Sequence, residues 1–145
     1  FPFCHFERFY PNSCSLPFPV VRRLVGSERL IGVSTHNRQE ALQAQSCEAD
    51  YITFGPVFDT PSKAGLLKPT GVEEIRKLKN EIDLPIVAVG GINGKNVESV
   101  LNGGADGIAV ISSIMQADDP EGAARCLCNK IVTFKPQKFQ IRKFG

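Results

Sequence analysis

The stretch that most constrains the fold is residues 84–114, LPIVAVGGINGKNVESVLNGGADGIAVISSI. It holds two continuous apolar runs, Ile86–Val89 and residues 108–111. Runs of this kind, apolar without alternation, are the pattern of parallel strands covered on both faces. Between them Val97, Val100 and Leu101 are spaced as the inner face of a short helix that ends near Gly103. The stretch therefore reads as strand, glycine turn, helix and strand. Each strand ends in small residues, Gly90-Gly91 after the first and Ser112-Ser113 after the second. Ligands of parallel α/β folds bind at the carboxyl ends of strands, and small residues there let backbone N–H groups approach an anion. A phosphate group is the ligand these two ends predict; the bland use of the same glycines is to close tight turns.

The same unit recurs on the amino-terminal side. Residues 19–25 place Val20, Val21, Leu24 and Val25 around Arg22-Arg23, an amphipathic turn or two of helix with Gly26 in the C′ position. Residues 30–34 form a short strand, with Ser34, Thr35 and His36 at its carboxyl end. A helix follows in which Asn37 and Glu40 have capping-box spacing. Residues 51–55 are the next strand. After it comes a long polar loop, residues 56–69, containing Asp59, Thr60, Ser62, Lys63 and Lys68. Thr70 and Glu73 repeat the capping-box spacing before a helix that buries Val72, Ile75, Leu78 and Ile82. Beyond the last strand, Ser112–Met115 is predicted to be a short extra helix, and Asp119-Pro120 to start the final one, with Asp118-Asp119 as its cap. The aromatic, proline-rich opening shows neither a helical nor a strand period, and the tail from Cys128 onward is basic and poorly periodic. The chain thus divides into an unassigned opening at 1–18, an α/β unit at 19–131 and a basic tail at 132–145.

Composition narrows the function classes. A chain of 145 residues, 42% apolar and 22% charged, can bury one domain core. A net charge of +2 spread along the chain is no nucleic-acid surface. No apolar run approaches the roughly 18 residues of a membrane span. The five cysteines, Cys4, Cys14, Cys47, Cys126 and Cys128, lack C-x-x-C spacing and read as free thiols of a cytoplasmic protein. The chain opens on Phe1, without a basic n-region or an apolar core, which reads as a piece of a longer protein or an altered start and not as a signal peptide.

Four successive βα units belong either to a doubly wound sheet or to half of a (β/α)8 barrel. No G-x-G-x-x-G occurs, which weakens a dinucleotide reading. Phosphate-type ends on the last two strands and a short extra helix fit a barrel whose phosphate sits at strands seven and eight. The expected architecture is a partial TIM barrel with four βα units corresponding to strands 5–8. Such a half-barrel leaves the edges near residues 30–34 and 108–111 unpaired, which predicts a homodimer of half-barrels unless residues 1–18 cover an edge.

Four segments carry a resemblance: IGVSTH at 31–36, ADYITFGPVFDTPSK at 49–63, PIVAVGGI at 85–92 and GADGIAVISSI at 104–114. In order and spacing, residues 19–124 resemble the carboxyl half of thiamine-phosphate synthases and the related thiazole tautomerases. GGI and GADG recur in many phosphate-binding barrels; the G-P-V-F-x-T-x-S-K segment is the specific one. The resemblance implies that Thr60, Pro61 and Ser62 contact the thiazole phosphate and that Lys63 faces the pyrimidine diphosphate. It implies that Gly91, Ile111 and Ser112 hold the thiazole phosphate through backbone N–H groups and one hydroxyl, and that Ser34 is a pyrimidine-side contact. His36 matches the proton shuttle of the tautomerase branch. Lys63 also makes sense alone, since an ammonium beside small hydroxyl residues neutralises a departing diphosphate.

The family holds magnesium with aspartates on the first half of its barrel, beside a Gln-x-Arg-x-Lys strand. This chain has no Asp before Asp50 and nothing like that strand in residues 1–18. The resemblance therefore implies thiamine biosynthesis: a magnesium-dependent transferase that joins hydroxymethylpyrimidine diphosphate to thiazole phosphate with release of diphosphate, with the magnesium ligands absent here. The alternatives are a metal-free thiazole phosphate tautomerase using His36 and a non-catalytic phosphate-binding half-barrel.

Overall fold

The computed structural model describes residues 18–60 and 67–134, and the backbone of residues 3–6. Five strands, β1 (Phe3–Phe6), β2 (Leu30–Thr35), β3 (Tyr51–Phe54), β4 (Ile86–Val89) and β5 (Gly107–Ala109), form one sheet in chain order, every neighbouring pair parallel. Among the described residues six helices lie between and after the strands: α1 (Phe18–Val25), α2 (Arg38–Ser46), α3 (Val72–Lys79), α4 (Val97–Asn102), the single turn α5 (Ser112–Met115) and α6 (Pro120–Phe134). The four βα units expected from the apolar runs are present. β1 is additional. It lies in the opening that shows no strand period, and it pairs in register from Phe3 opposite Leu30 to Phe6 opposite Val33. The expectation of an unpaired edge near residues 30–34 is therefore corrected: β2 is an interior strand of the sheet.

The two faces of the sheet are unequal. Ile31, Val33, Thr35, Ile52, Phe54, Ile86 and Ala88 are buried, and with Ala41, Ala44, Ile75, Leu78, Val97 and Val100 of the helices they make the core. Ser34, Tyr51, Thr53, Val87 and Val89 occupy the alternate positions and are half-buried. Continuous apolar runs suggest cover on both faces; here the helices cover one.

The amino-terminal edge of the sheet is built on a repeated device. Asp50, just before β3, accepts the Ile31 N–H of β2 at 2.7 Å and pairs with Arg22 of α1 at 2.5 Å. Asp106, just before β5, accepts the Ile86 N–H of β4 at 2.9 Å and pairs with Lys79 of α3 at 2.6 Å. In both cases the aspartate's own N–H donates to the carbonyl of the same residue across the sheet, Ile31 or Ile86. An Ala that precedes each Asp, Ala49 or Ala105, is buried beneath the adjoining helix layer. The Ala-Asp-x-Ile signature is thus one structural unit used twice, joining strand, helix and neighbouring strand.

Some helix termini are closed by local hydrogen bonds, whereas α3, α4 and α5 start without a side-chain cap. Gly26 closes α1 through its N–H to the Arg22 carbonyl. The Asn37 Oδ1 accepts the Glu40 N–H at 2.9 Å, and Asp119 accepts the Gly122 N–H at 2.9 Å, as N-caps do. The capping box expected from Thr70 and Glu73 is not formed. Gly71 occupies the N-cap of α3 without a side-chain bond, and the Thr70 hydroxyl donates to the Pro56 carbonyl at 3.2 Å. The loop's closure therefore wins that hydroxyl from the helix. At the other end of the chain, α6 continues to Phe134 through the stretch that reads as poorly periodic, and Lys130 on it bonds Glu98 of α4, which raises the lysine pKa through that hydrogen bond.

Candidate functional site

The carboxyl ends of β2 to β5 lie along one rim of the sheet, as parallel pairing in chain order requires. The rim is tied together by backbone bonds. After β3, the Val57 N–H donates to the Val89 carbonyl at 2.8 Å and the Phe58 N–H to the Gly90 carbonyl at 3.1 Å, so the start of the polar loop is laid on the end of β4. The far end returns to the same place, with the Thr70 and Gly71 N–H groups bonded to the Pro56 and Val57 carbonyls. Residues 57 and 70 are thus brought together at the mouth of the sheet.

Gly90 and Gly91 stand at φ +92° and +66°, a region that side chains disfavour. Neither position has room for a Cβ either. At Gly90 it would meet Pro56 at 2.5 Å, and at Gly91 the Asp59 carbonyl oxygen at 2.6 Å. These glycines close a turn and also let the β3 loop lie flat on the β4 end. The Gly91 carbonyl accepts the Asn96 amide at 3.0 Å and the Asn93 amide more weakly at 3.4 Å, while Asn96 Oδ1 accepts the Asn93 N–H at 2.8 Å. Among the described residues no bond is made by the N–H groups of Gly91 and Ile92, nor by those of Ser112 and Ser113, which open α5. N–H donors from two adjacent strand ends are the elements of an anion cup.

At the end of β2, the Ser34 and Thr53 hydroxyls meet across the strands at 3.1 Å, and Thr35 is buried with its hydroxyl on the Thr53 carbonyl. His36 follows. Glu40 Oε2 accepts both the His36 backbone N–H at 2.8 Å and its ring Nδ1 at 3.1 Å, and Asn37 holds the other carboxylate oxygen at 2.8 Å. A carboxylate only accepts, so Nδ1 donates in this contact, and in the neutral ring Nε2 is the nitrogen that carries no proton.

A family model described as thiamine monophosphate synthase matches residues 13–114. The chain belongs to the thiamine monophosphate synthase family. It is similar to the thiamine-phosphate synthase of Syntrophomonas wolfei, 48% identical over 112 residues that make up 77% of this chain and 54% of that protein. It is also similar to that of Chloroflexus aurantiacus, 46% identical over 77% of this chain and 51% of the other. The chain therefore spans about half the length of these relatives. Among solved structures, thiamine phosphate pyrophosphorylase from Pyrococcus furiosus superimposes with a TM-score of 0.76 at 34% identity, over 90% of this chain and 59% of that one. The 3-hexulose-6-phosphate synthase of Salmonella typhimurium shares the fold at 16% identity and a TM-score of 0.67, over 92% of this chain and 63% of that one.

Within the family frame, the residues singled out by sequence fall as follows. Gly91, Ile111 and Ser112 lie at the ends of the neighbouring strands β4 and β5, Ile111 as the N-cap of α5 and 79% exposed. Ser34 and His36 belong to the end of β2, two strand spacings or about 10 Å from β4 and one spacing further from β5. Thr60 is on the loop that follows β3, while Pro61, Ser62 and Lys63 lie outside the described residues. Sequence reasoning missed Asn93, Asn96 and Glu40 as parts of the rim. The N-x-x-N spacing after Gly91 and the i, i+4 spacing of His36 and Glu40 were the available signals. It also missed a cavity of about 390 Å³ behind α5, lined by Lys95, Ser113, Cys126 and Leu127 among others, where the buried Ser113 hydroxyl has no partner among the described residues. No three His, Cys, Asp or Glu side chains converge among the described residues. Asp50, Asp106 and Asp119 are each engaged in the sheet edge or a helix cap, so these residues do not fit a magnesium site.

Proposed function

We propose that this chain is the phosphate-side portion of a thiamine-phosphate synthase, a partial (β/α)8 barrel in which β2 to β5 take the places of strands 5–8. The observation that carries the reading is the set of N–H groups at Gly91 and Ser112 on adjacent strand ends, in a chain whose residues 13–114 match the family. In the whole enzyme the thiazole phosphate anion is held by these donors and by the Ser112 hydroxyl. Thr60, Pro61 and Ser62 are assigned to contact with the thiazole phosphate, and Lys63 with Ser34 to the pyrimidine substrate. The methylene–oxygen bond breaks and diphosphate leaves with the bonding pair, its charge neutralised by Lys63, and the pyrimidine cation that remains is captured by the thiazole nitrogen. Magnesium would be held by the other part of the barrel in the whole enzyme. The half-buried face that carries Ser34, Thr53 and Val89 is the side that turns inward when the barrel closes.

A second reading, thiazole phosphate tautomerase, is favoured by the Glu40–His36 pair. A neutral imidazole with a fixed Nδ1–H offers Nε2 as a base, and the reaction needs no metal. The test is amide hydrogen exchange with and without thiazole phosphate. Protection at Gly91 and Ser112 is the expected result; uniform exchange at both removes the phosphate reading. Coupling activity of this chain with both substrates and magnesium is expected to be little or none, whereas tautomerase turnover abolished by His36→Ala would promote the second reading.

A further inference from the structure

Two consecutive peptide planes leave the end of β4, and each has its carbonyl tied down. The Gly90 carbonyl accepts the Phe58 N–H at 3.1 Å, and the Gly91 carbonyl accepts the Asn96 side-chain amide at 3.0 Å. In a trans peptide the N–H points opposite to the carbonyl. Fixing the Gly90 carbonyl therefore aims the Gly91 N–H away from the β3 loop, and fixing the Gly91 carbonyl aims the Ile92 N–H away from the start of α4. The Ile92 side chain packs into the core, and its N–H has no partner among the described residues. Asn96 is itself braced, since its Oδ1 accepts the Asn93 N–H at 2.8 Å.

We propose that Asn96 is a positioning residue of the phosphate cup, and that through the Gly91 carbonyl it presents the Ile92 N–H as a second donor on the β4 side. This rests on the phosphate reading of the strand ends. It extends that reading from one N–H at Gly91 to a pair, and it makes the amide of Asn96, one turn ahead in the chain, responsible for the second.

The experiment is titration of the full chain with inorganic phosphate, followed by the backbone amide resonances, on the wild type and on Asn96→Ala. The wild type is expected to shift Gly91, Ile92 and Ser112 together. Asn96→Ala is expected to move the Ile92 resonance before any ligand is added and to weaken phosphate binding about tenfold, the scale of one hydrogen bond to a charged group. Shifts at Gly91 and Ser112 without Ile92 would overturn the inference and leave the phosphate reading standing. No shift at any of the three would remove the phosphate reading itself. If Asn96→Ala does not fold, the wild-type titration still decides by whether Ile92 responds.

Discussion

At Gly91 the backbone is held at φ +66°, and a Cβ there would come within 2.6 Å of the Asp59 carbonyl oxygen. Both the turn and the close approach of the loop call for glycine. Gly91→Ala is expected to destabilise the fold by about 1–3 kcal/mol, the scale of a strained backbone position, as read from urea denaturation. A midpoint unchanged from wild type would show that the loop gives way freely. At His36 the Glu40 carboxylate sets the ring. The Nδ1–H tautomer is the expected majority form of the neutral ring, and ¹⁵N chemical shifts of the two ring nitrogens test it; a majority Nε2–H form would contradict the geometry. Glu40→Ala should scramble that preference. The glycine pair and His36 were legible in sequence because their residue types point to chemistry at a strand end. The brace from Asn96 was not, since a bond between positions five apart in a loop leaves no periodic trace.

The elements themselves were read from apolar runs, and the runs succeeded where the strand is deep in the sheet. β1 escaped because FCHF has no alternation of its own and becomes a strand through parallel pairing with Leu30 to Val33. The N-cap of α3 escaped because the Thr70 hydroxyl had a competing acceptor fourteen residues back, at Pro56. The twin ADYI and ADGI segments were visible as words, and the structure supplies their meaning. Each Asp accepts an N–H at the start of a neighbouring strand and anchors a helix cation. Asp106→Ala leaves the Ile86 N–H without its acceptor and should cost about 2 kcal/mol of stability. Asp106→Asn keeps an acceptor oxygen and should recover most of that loss. The Lys79 partner is a third exposed, so Lys79→Met should cost under about 1 kcal/mol. Equal losses for Asp106→Asn and Asp106→Ala in thermal denaturation would mean that the charge, and not the hydrogen bond, is what holds the strand.

On the scale of the whole molecule, the sheet among the described residues ends at β1 on one side and β5 on the other, and one of its faces is only half-buried. Beside β5 two large apolar side chains stand in solvent, Ile111 at 79% and Met115 at 74% exposed. Each open edge carries a row of backbone donors and acceptors that another strand can satisfy. The relatives are about twice as long as the stretch they share with this chain, so in them more chain is present to meet these surfaces. A second copy can supply the same kind of partner, since a parallel strand array with two free edges can pair head to tail with its twin and bury both inner faces. β1 does not remove the tendency, because it covers β2 and is itself the last strand of the sheet among the described residues. The expected outcome is a concentration-dependent rise from monomer to dimer mass in light scattering, with hydrophobic-dye binding in the dilute chain that falls as the dimer forms. Met115→Lys adds a charge to the exposed patch without touching the strand ends, and should move the equilibrium toward monomer while leaving the circular dichroism unchanged. A chain that stays monomeric at every concentration and binds no dye would show that the open edges and the half-buried face are already satisfied within one molecule.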